Sequence, residues 1–237
     1  MEITREVNKH FQKFLLDDSQ HIYFLLGGYG SSKSYNAAFK LVISALKEKR
    51  KILVVRQIRE NLKESCYADI QDIIYMLGLE KYFYFTSTPM KITCTATGTE
   101  FIFRGLDNVK KIKSIKDIDT IWIEEADEID YKSFKELKSR LRSIKNRNIL
   151  ILTTNPNEFG VWTYKYLTEV LKSIGKDENN LYAERIIKIK NEVNLKKGNV
   201  FSENIYLHHS VYTDNKFLPD NFIADLETET DDYLRAI

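Results

Sequence analysis

The sequence predicts an α/β fold: a mainly parallel central sheet with helices on both faces. Two observations predict it. Short, continuously apolar runs alternate with amphipathic helical stripes, the pattern of strands buried on both faces. The three motifs that carry chemistry fall just after such runs, at the strands' carboxyl ends, where open α/β sheets bind ligands. With 237 residues, 43% of them apolar, the chain has room for one large domain or one domain with a small appendage, and not for two full enzyme domains.

After an amphipathic lead-in with Phe11, Phe14, Leu15 and Leu16, the run Ile22 to Leu26 meets Gly27-Gly28, a buried strand entering a tight turn. From Ser34 to Arg50, Ala37, Ala38, Leu41, Val42, Ala45 and Leu46 recur at helical spacing, with Lys47, Lys49 and Arg50 at the cation-favouring end. Lys51 to Val55 is a second strand, and Ile70, Ile73, Ile74 and Leu77, stopped by Gly78, mark the next helix. Lys91 to Ala96 and Thr99 to Phe103 flank Thr97-Gly98 and predict an inserted antiparallel hairpin. Thr120 to Ile123 is a third core strand. Phe134, Leu137 and Leu141 stripe a basic helix, and Asn148 to Leu152 is a further strand. Past Gly175 the chain turns polar, with strands expected at Glu184 to Lys190 and Ile205 to Val211 and an acidic helix opened by Pro219. The expected division is 1–175 for the core and 176–237 for a C-terminal extension and linker.

Composition excludes several classes. The 30% charged and 43% apolar content, with only 3 Pro, is that of a globular protein. No apolar run approaches the roughly 20 residues needed to span a bilayer, so a soluble, cytoplasmic protein is expected. Cys66 and Cys94 lack metal-site or disulfide spacing. The net charge of +2 masks local segregation. Arg104, Lys110, Lys111, Lys113 and Lys116 oppose only Asp107, and seven bases between Tyr131 and Arg147 oppose only Glu136. Such segments suit a phosphodiester backbone or a plain solvated face.

The first motif is Gly27-Gly28-Tyr29-Gly30-Ser31-Ser32-Lys33-Ser34. A glycine turn between strand and helix lets backbone N–H groups converge on phosphate oxygens, and the helix N-terminus adds positive potential. Lys33 is expected on the β and γ phosphates and the Ser34 hydroxyl on Mg²⁺. Ser32 stands where the usual pattern has its last glycine. In the second motif, Ile121-Trp122-Ile123-Glu124-Glu125, a strand delivers two carboxylates. Glu124 is expected to serve the metal and Glu125 to activate the attacking water. The third, Thr153-Thr154-Asn155-Pro156, offers hydroxyl and amide groups able to change partners when a phosphate leaves. Arg56, Arg104, Arg140 and Arg142 are the candidates for a cation that stabilises the transition state.

Together these residues resemble the ATPase half of phage large terminase subunits. The resemblance rests on Gly27 to Ser34, Phe103-Arg104-Gly105-Leu106-Asp107 leading to Lys111-Ile112-Lys113-Ser114, Ile121 to Ala126, Thr153 to Pro156, and Tyr212 to Pro219. It implies a P-loop NTPase of the additional-strand, catalytic-glutamate (ASCE) type that hydrolyses ATP to move double-stranded DNA into a procapsid. Gly27 to Ser34 would be the Walker A loop, Glu124 and Glu125 the Walker B pair, and Thr153 to Asn155 the coupling motif. Many relatives carry arginine where this chain has Tyr29, which favours an arginine supplied by a neighbouring subunit. The resemblance further implies a homo-oligomeric ring when active, a monomer when isolated, a portal protein and a small terminase subunit as partners, and residence in host cytoplasm and at the portal vertex. The family usually continues into a nuclease domain, and this chain is expected to cleave no DNA. The rival readings are a helicase or recombinase-like ATPase and a nucleotide-binding regulatory module without turnover.

Overall fold

The computed structural model describes residues 6–106, 112, 115–155 and 161–229. The described residues form two compact units, one within 34–153 and the other made of 6–33 with 154–229.

Among the described residues the first unit carries six strands. These are β2 (Lys51–Arg56), β3 (Phe83–Ser87), β4 (Met90–Cys94), β5 (Thr99–Gly105), β6 (Thr120–Ile123) and β7 (Ile149–Thr154), whose last residue enters the second unit. Their order is β3-β4-β5-β2-β6-β7. Strands β5, β2, β6 and β7 are mutually parallel, whereas β3–β4 and β4–β5 are antiparallel. The expected hairpin is present, and β5 is at once its second arm and a member of the parallel core. β3 is an addition to the elements expected from sequence. Its run Phe-Tyr-Phe-Thr-Ser is only partly buried, so neither continuous apolarity nor clean alternation marks it.

Helix α2 (Lys33–Lys47) follows the glycine turn, and its Ala37, Ala38, Leu41, Val42 and Ala45 are buried, the stripe read from the sequence. A π-helical turn, Lys63–Tyr67, leads into α3 (Ala68–Met76), which buries Ile70, Ile73 and Ile74. Helix α4 (Tyr131–Lys138) starts at an Asp130 cap that accepts from Ser133 N at 2.7 Å. It buries Phe134 and Leu137 but stops before Leu141, which the expected stripe included. Strands β6 and β7 are buried at every position, as parallel strands covered on both faces must be.

The second unit holds α1 (Gln12–Leu16), β1 (Ile22–Gly27), α5 (Trp162–Lys172), α6 (Glu178–Glu184), β8 (Ile186–Asn194), β9 (Val200–Ser210) and α7 (Asp220–Thr228). β9 pairs in parallel with β1 along its whole length, from Ile22↔Ile205 to Gly27↔Ser210, and β8 pairs antiparallel with β9. The polar C-terminal segment therefore supplies a neighbour to the very strand that ends in the glycine turn. Phe11, Phe14, Tyr23 and Tyr206 are fully buried there, with Phe14 edge-on to Tyr23 at 5.4 Å. Among the described residues no helix is long and apolar enough to cross a membrane.

Candidate nucleotide site

The phosphate loop belongs to the second unit. A Cβ at Gly27 would lie 2.5 Å from the Ser210 carbonyl oxygen of β9, so only glycine lets β1 and β9 approach there. Gly30 has φ +72°, and a Cβ on it would lie 2.7 Å from the Phe222 ring. Ser32 also adopts a left-handed φ, +63°, which explains why the usual pattern has glycine here. For an L-residue that conformation costs about 1–2 kcal/mol. Its Oγ accepts a hydrogen bond from Asn8 Nδ2 at 3.0 Å. Tyr29 is exposed, and Ser31 N donates to Gly28 O at 3.3 Å. Lys33 is only 9% exposed, and its ammonium donates to Asn155 Oδ1 at 2.8 Å and to Gly28 O at 3.4 Å. A buried ammonium needs such acceptors because burial removes its water.

The carboxylates belong to the first unit. β6 ends at Glu124, whose N–H donates to Val55 O at 2.9 Å. Its buried carboxylate accepts the Thr153 hydroxyl proton. Thr153 Oγ1 in turn accepts from the Trp122 indole N–H at 3.0 Å, so a buried chain runs Trp122, Thr153, Glu124. Glu125 sits at φ +50°, the kind of backbone strain that gathers at functional positions. It is ion-paired with Arg56, with both side chains largely buried. Burial, then the charge of Glu124, push the Asp69 carboxyl up to about 6 and the Cys66 thiol well above its ordinary value. The latter makes Cys66 an inert thiol.

The remaining candidates separate. Arg104 shares the carboxyl end of the sheet with Arg56, in the register Val55↔Arg104. It donates to Phe103 O at 2.7 Å. Burial and the charge of Arg59 lower its pKa. Arg140 pairs with Glu136 at 3.3 Å, and Arg142 is exposed. Thr154 is buried, with its hydroxyl 3.3 Å from Asn155 O. Ser34 follows Lys33 in the first turn of α2. Lys110, Lys111, Lys113, Asp107, Ser114 and Pro156 lie outside the described residues. No cluster of three or more His, Cys, Asp or Glu able to hold a metal occurs among the described residues.

Sequence reasoning missed Asn8, Asn215 and the Trp122–Thr153–Glu124 chain. Asn8 carries no local signal, being 24 positions from its partner. Asn215 lies inside the Tyr212 to Pro219 passage, whose resemblance could have drawn attention to it.

A parallel strand closing on a glycine turn, a buried lysine and a helix opening at that lysine define the class: a P-loop NTPase fold. Within that class the chain belongs to the phage terminase large subunit family, whose model matches residues 19–235. The PBSX phage terminase large subunit of Bacillus subtilis (strain 168) is 39% identical over 227 residues, covering 95% of this chain and 49% of that protein. The large terminase of the thermophilic bacteriophage D6E matches with a TM-score of 0.65 at 12% identity, over 97% of this chain and 50% of that one. The same D6E protein has been solved in complex with ATP-gamma-S (TM-score 0.60). The large terminase ATPase domain of Thermus phage P74-26 gives 0.63 at 11% identity, over 96% of this chain and 90% of that one. The chain spans about half the length of the curated relatives it matches.

Proposed function

We propose that this chain is the ATPase motor portion of a phage large terminase, hydrolysing ATP to drive double-stranded DNA into a procapsid. The loop N–H groups of Gly27 to Ser34 and the Lys33 ammonium bind the phosphates; phosphate oxygens compete for the protons that Lys33 gives to Asn155 and Gly28. Ser34 and Glu124 would hold Mg²⁺, which would supply positive charge beside the phosphates when bound. Glu125 orients the attacking water and takes its proton. While Arg56 is paired with Glu125, that carboxylate is occupied and not free to receive a water proton, so turnover requires the pair to open. The freed guanidinium is then available for charge developing on the γ phosphate, with Arg104 or an arginine from a neighbouring subunit as the other source.

Thr153 to Asn155 couple the reaction to movement, because Thr153 bonds Glu124 and Asn155 bonds Lys33. Residues 1–175 form the motor core and 176–237 its extension. The working assembly is a ring that engages a portal protein and a small terminase subunit, in the host cytoplasm and at the procapsid's portal vertex.

The observation that carries this reading is Lys33: a lysine buried in a glycine turn at the start of a helix, held by exchangeable acceptors, is built for an anion. The ATP-γ-S complex of the D6E terminase supports it. Phosphate release with Mg-ATP, with and without DNA, tests it. The wild type should turn over and Glu125→Gln should not; equal rates for the two would remove Glu125 as the base. No turnover by wild-type chain supplied with portal, procapsid and DNA would sink the motor itself.

A further inference from the structure

Resting on the ATP-binding reading, we propose that Asn8 and Asn215 are positioning residues for the phosphate loop. One reaches it from each end of the chain, and Asn8 offsets the serine at the loop's last-glycine position. Ser32 is a side-chain-bearing residue in a left-handed conformation, φ +63°, a backbone shape that glycine adopts without strain and serine does not. Asn8 is buried, at 6% exposure. Its Nδ2 donates to Ser32 Oγ at 3.0 Å while its Oδ1 accepts from His10 N at 3.0 Å. Both ends of the amide are thus engaged, which fixes its orientation as well as its position. The bond is one that glycine could not make, so the serine brings both the strain and the handle that restrains it.

Asn215 acts two residues away. Its Nδ2 donates to Gly30 O at 2.8 Å and its Oδ1 accepts from Phe217 N at 3.2 Å. The same stretch of chain lies directly over Gly30, where the Phe222 and Leu218 side chains would stand 2.7 and 3.0 Å from any added Cβ. With the Gly30 carbonyl turned toward Asn215, the Ser31 N–H of the same trans peptide points the opposite way, where it donates to Gly28 O at 3.3 Å and closes the turn. A change in loop shape on binding or releasing phosphate is thereby felt at Asn215, Leu218 and Phe222, at the start of α7.

The test is Mg-ATP affinity of the full chain, read with a fluorescent ATP analogue, together with hydrogen exchange of amides 28–32. Asn8→Ala should weaken binding roughly fivefold, the scale of one hydrogen bond, and speed exchange in the loop while leaving β8 unchanged. In a Ser32→Gly background the same substitution should cost less than about twofold, because the handle and the strain are both gone. Asn215→Asp, which sets a carboxylate against the Gly30 carbonyl, should weaken binding by about tenfold. An equal loss from Asn8→Ala in both backgrounds, or loop exchange unmoved by either asparagine variant, would overturn the proposal. If wild-type chain binds no Mg-ATP, the ATP reading fails instead, and the exchange measurement alone decides the roles of Asn8 and Asn215.

Discussion

Thr153 shows how much one hydroxyl can carry. It accepts from Trp122 and donates to Glu124, in a region where both partners are buried. Thr153→Val keeps the shape and removes the hydroxyl, leaving an indole N–H and a carboxylate without that partner. The expected cost is about 2 kcal/mol, a melting midpoint lower by roughly 4–8 °C in a chain of this size. Thr153→Ser should recover most of it in the same thermal scan. Lys33 carries the corresponding prediction for binding. Lys33→Ala should weaken Mg-ATP about 100-fold by calorimetric titration, since it deletes charge-assisted bonds to phosphate. A variant binding like wild type would place the nucleotide elsewhere.

Among the elements, α3 and β9 give opposite responses to pH. Asp69 on α3 has its carboxyl raised from 3.8 to about 6, by burial first and then by Glu124 and Asp72. The fold therefore prefers the neutral acid. Its contribution is fully present below about pH 4 and is lost as pH rises through 6. Asp69→Asn should raise stability at pH 8 by about 3 kcal/mol, seen as a higher melting midpoint, and leave it nearly unchanged at pH 4. On β9 the sign reverses. Burial, then the charges of His10, Arg185 and His209, hold His208 well below its ordinary value. Burial, then Arg185, lowers His209 to about 4. Both imidazoles are favoured neutral, so their contribution holds above about pH 6.5 and is lost as pH falls toward 4. A melting series over pH 4–7 should show this acid loss shrink in His209→Gln. An unchanged acid limb would mean that other groups cause it.

For the whole molecule, the distribution of charge matters more than its total. Between residues 131 and 147, Lys132, Lys135, Arg142, Lys145 and Arg147 are exposed and the lone acid, Glu136, is bound to Arg140. If this surface meets the DNA backbone, charge reversal at Lys132 and Lys135 should reduce the slope of log affinity against log salt by about two. The loss should be alike for unrelated DNA sequences. Binding assays across a salt series check this; a slope equal to wild type would assign DNA to another face.

The alternating apolar runs and helical stripes were legible because burial on both faces of a parallel strand leaves no choice of residue type. That held for β1, β2, β6 and β7. β3 was not legible, since a half-exposed strand at the end of the sheet order is free to mix aromatics and hydroxyls. The glycine turn, Lys33 and the paired glutamates could be read for the same reason as the strands: their chemistry is local, set by a few consecutive residues. Tertiary structure alone decided that Ser32 is held by Asn8, that Gly30 is held by Asn215, that Glu124 answers to Thr153 and that Arg56 lies on Glu125. Each of those bonds joins residues 24 to 185 positions apart. A hydrogen bond depends on where folding brings two groups, and no periodicity along the chain records that.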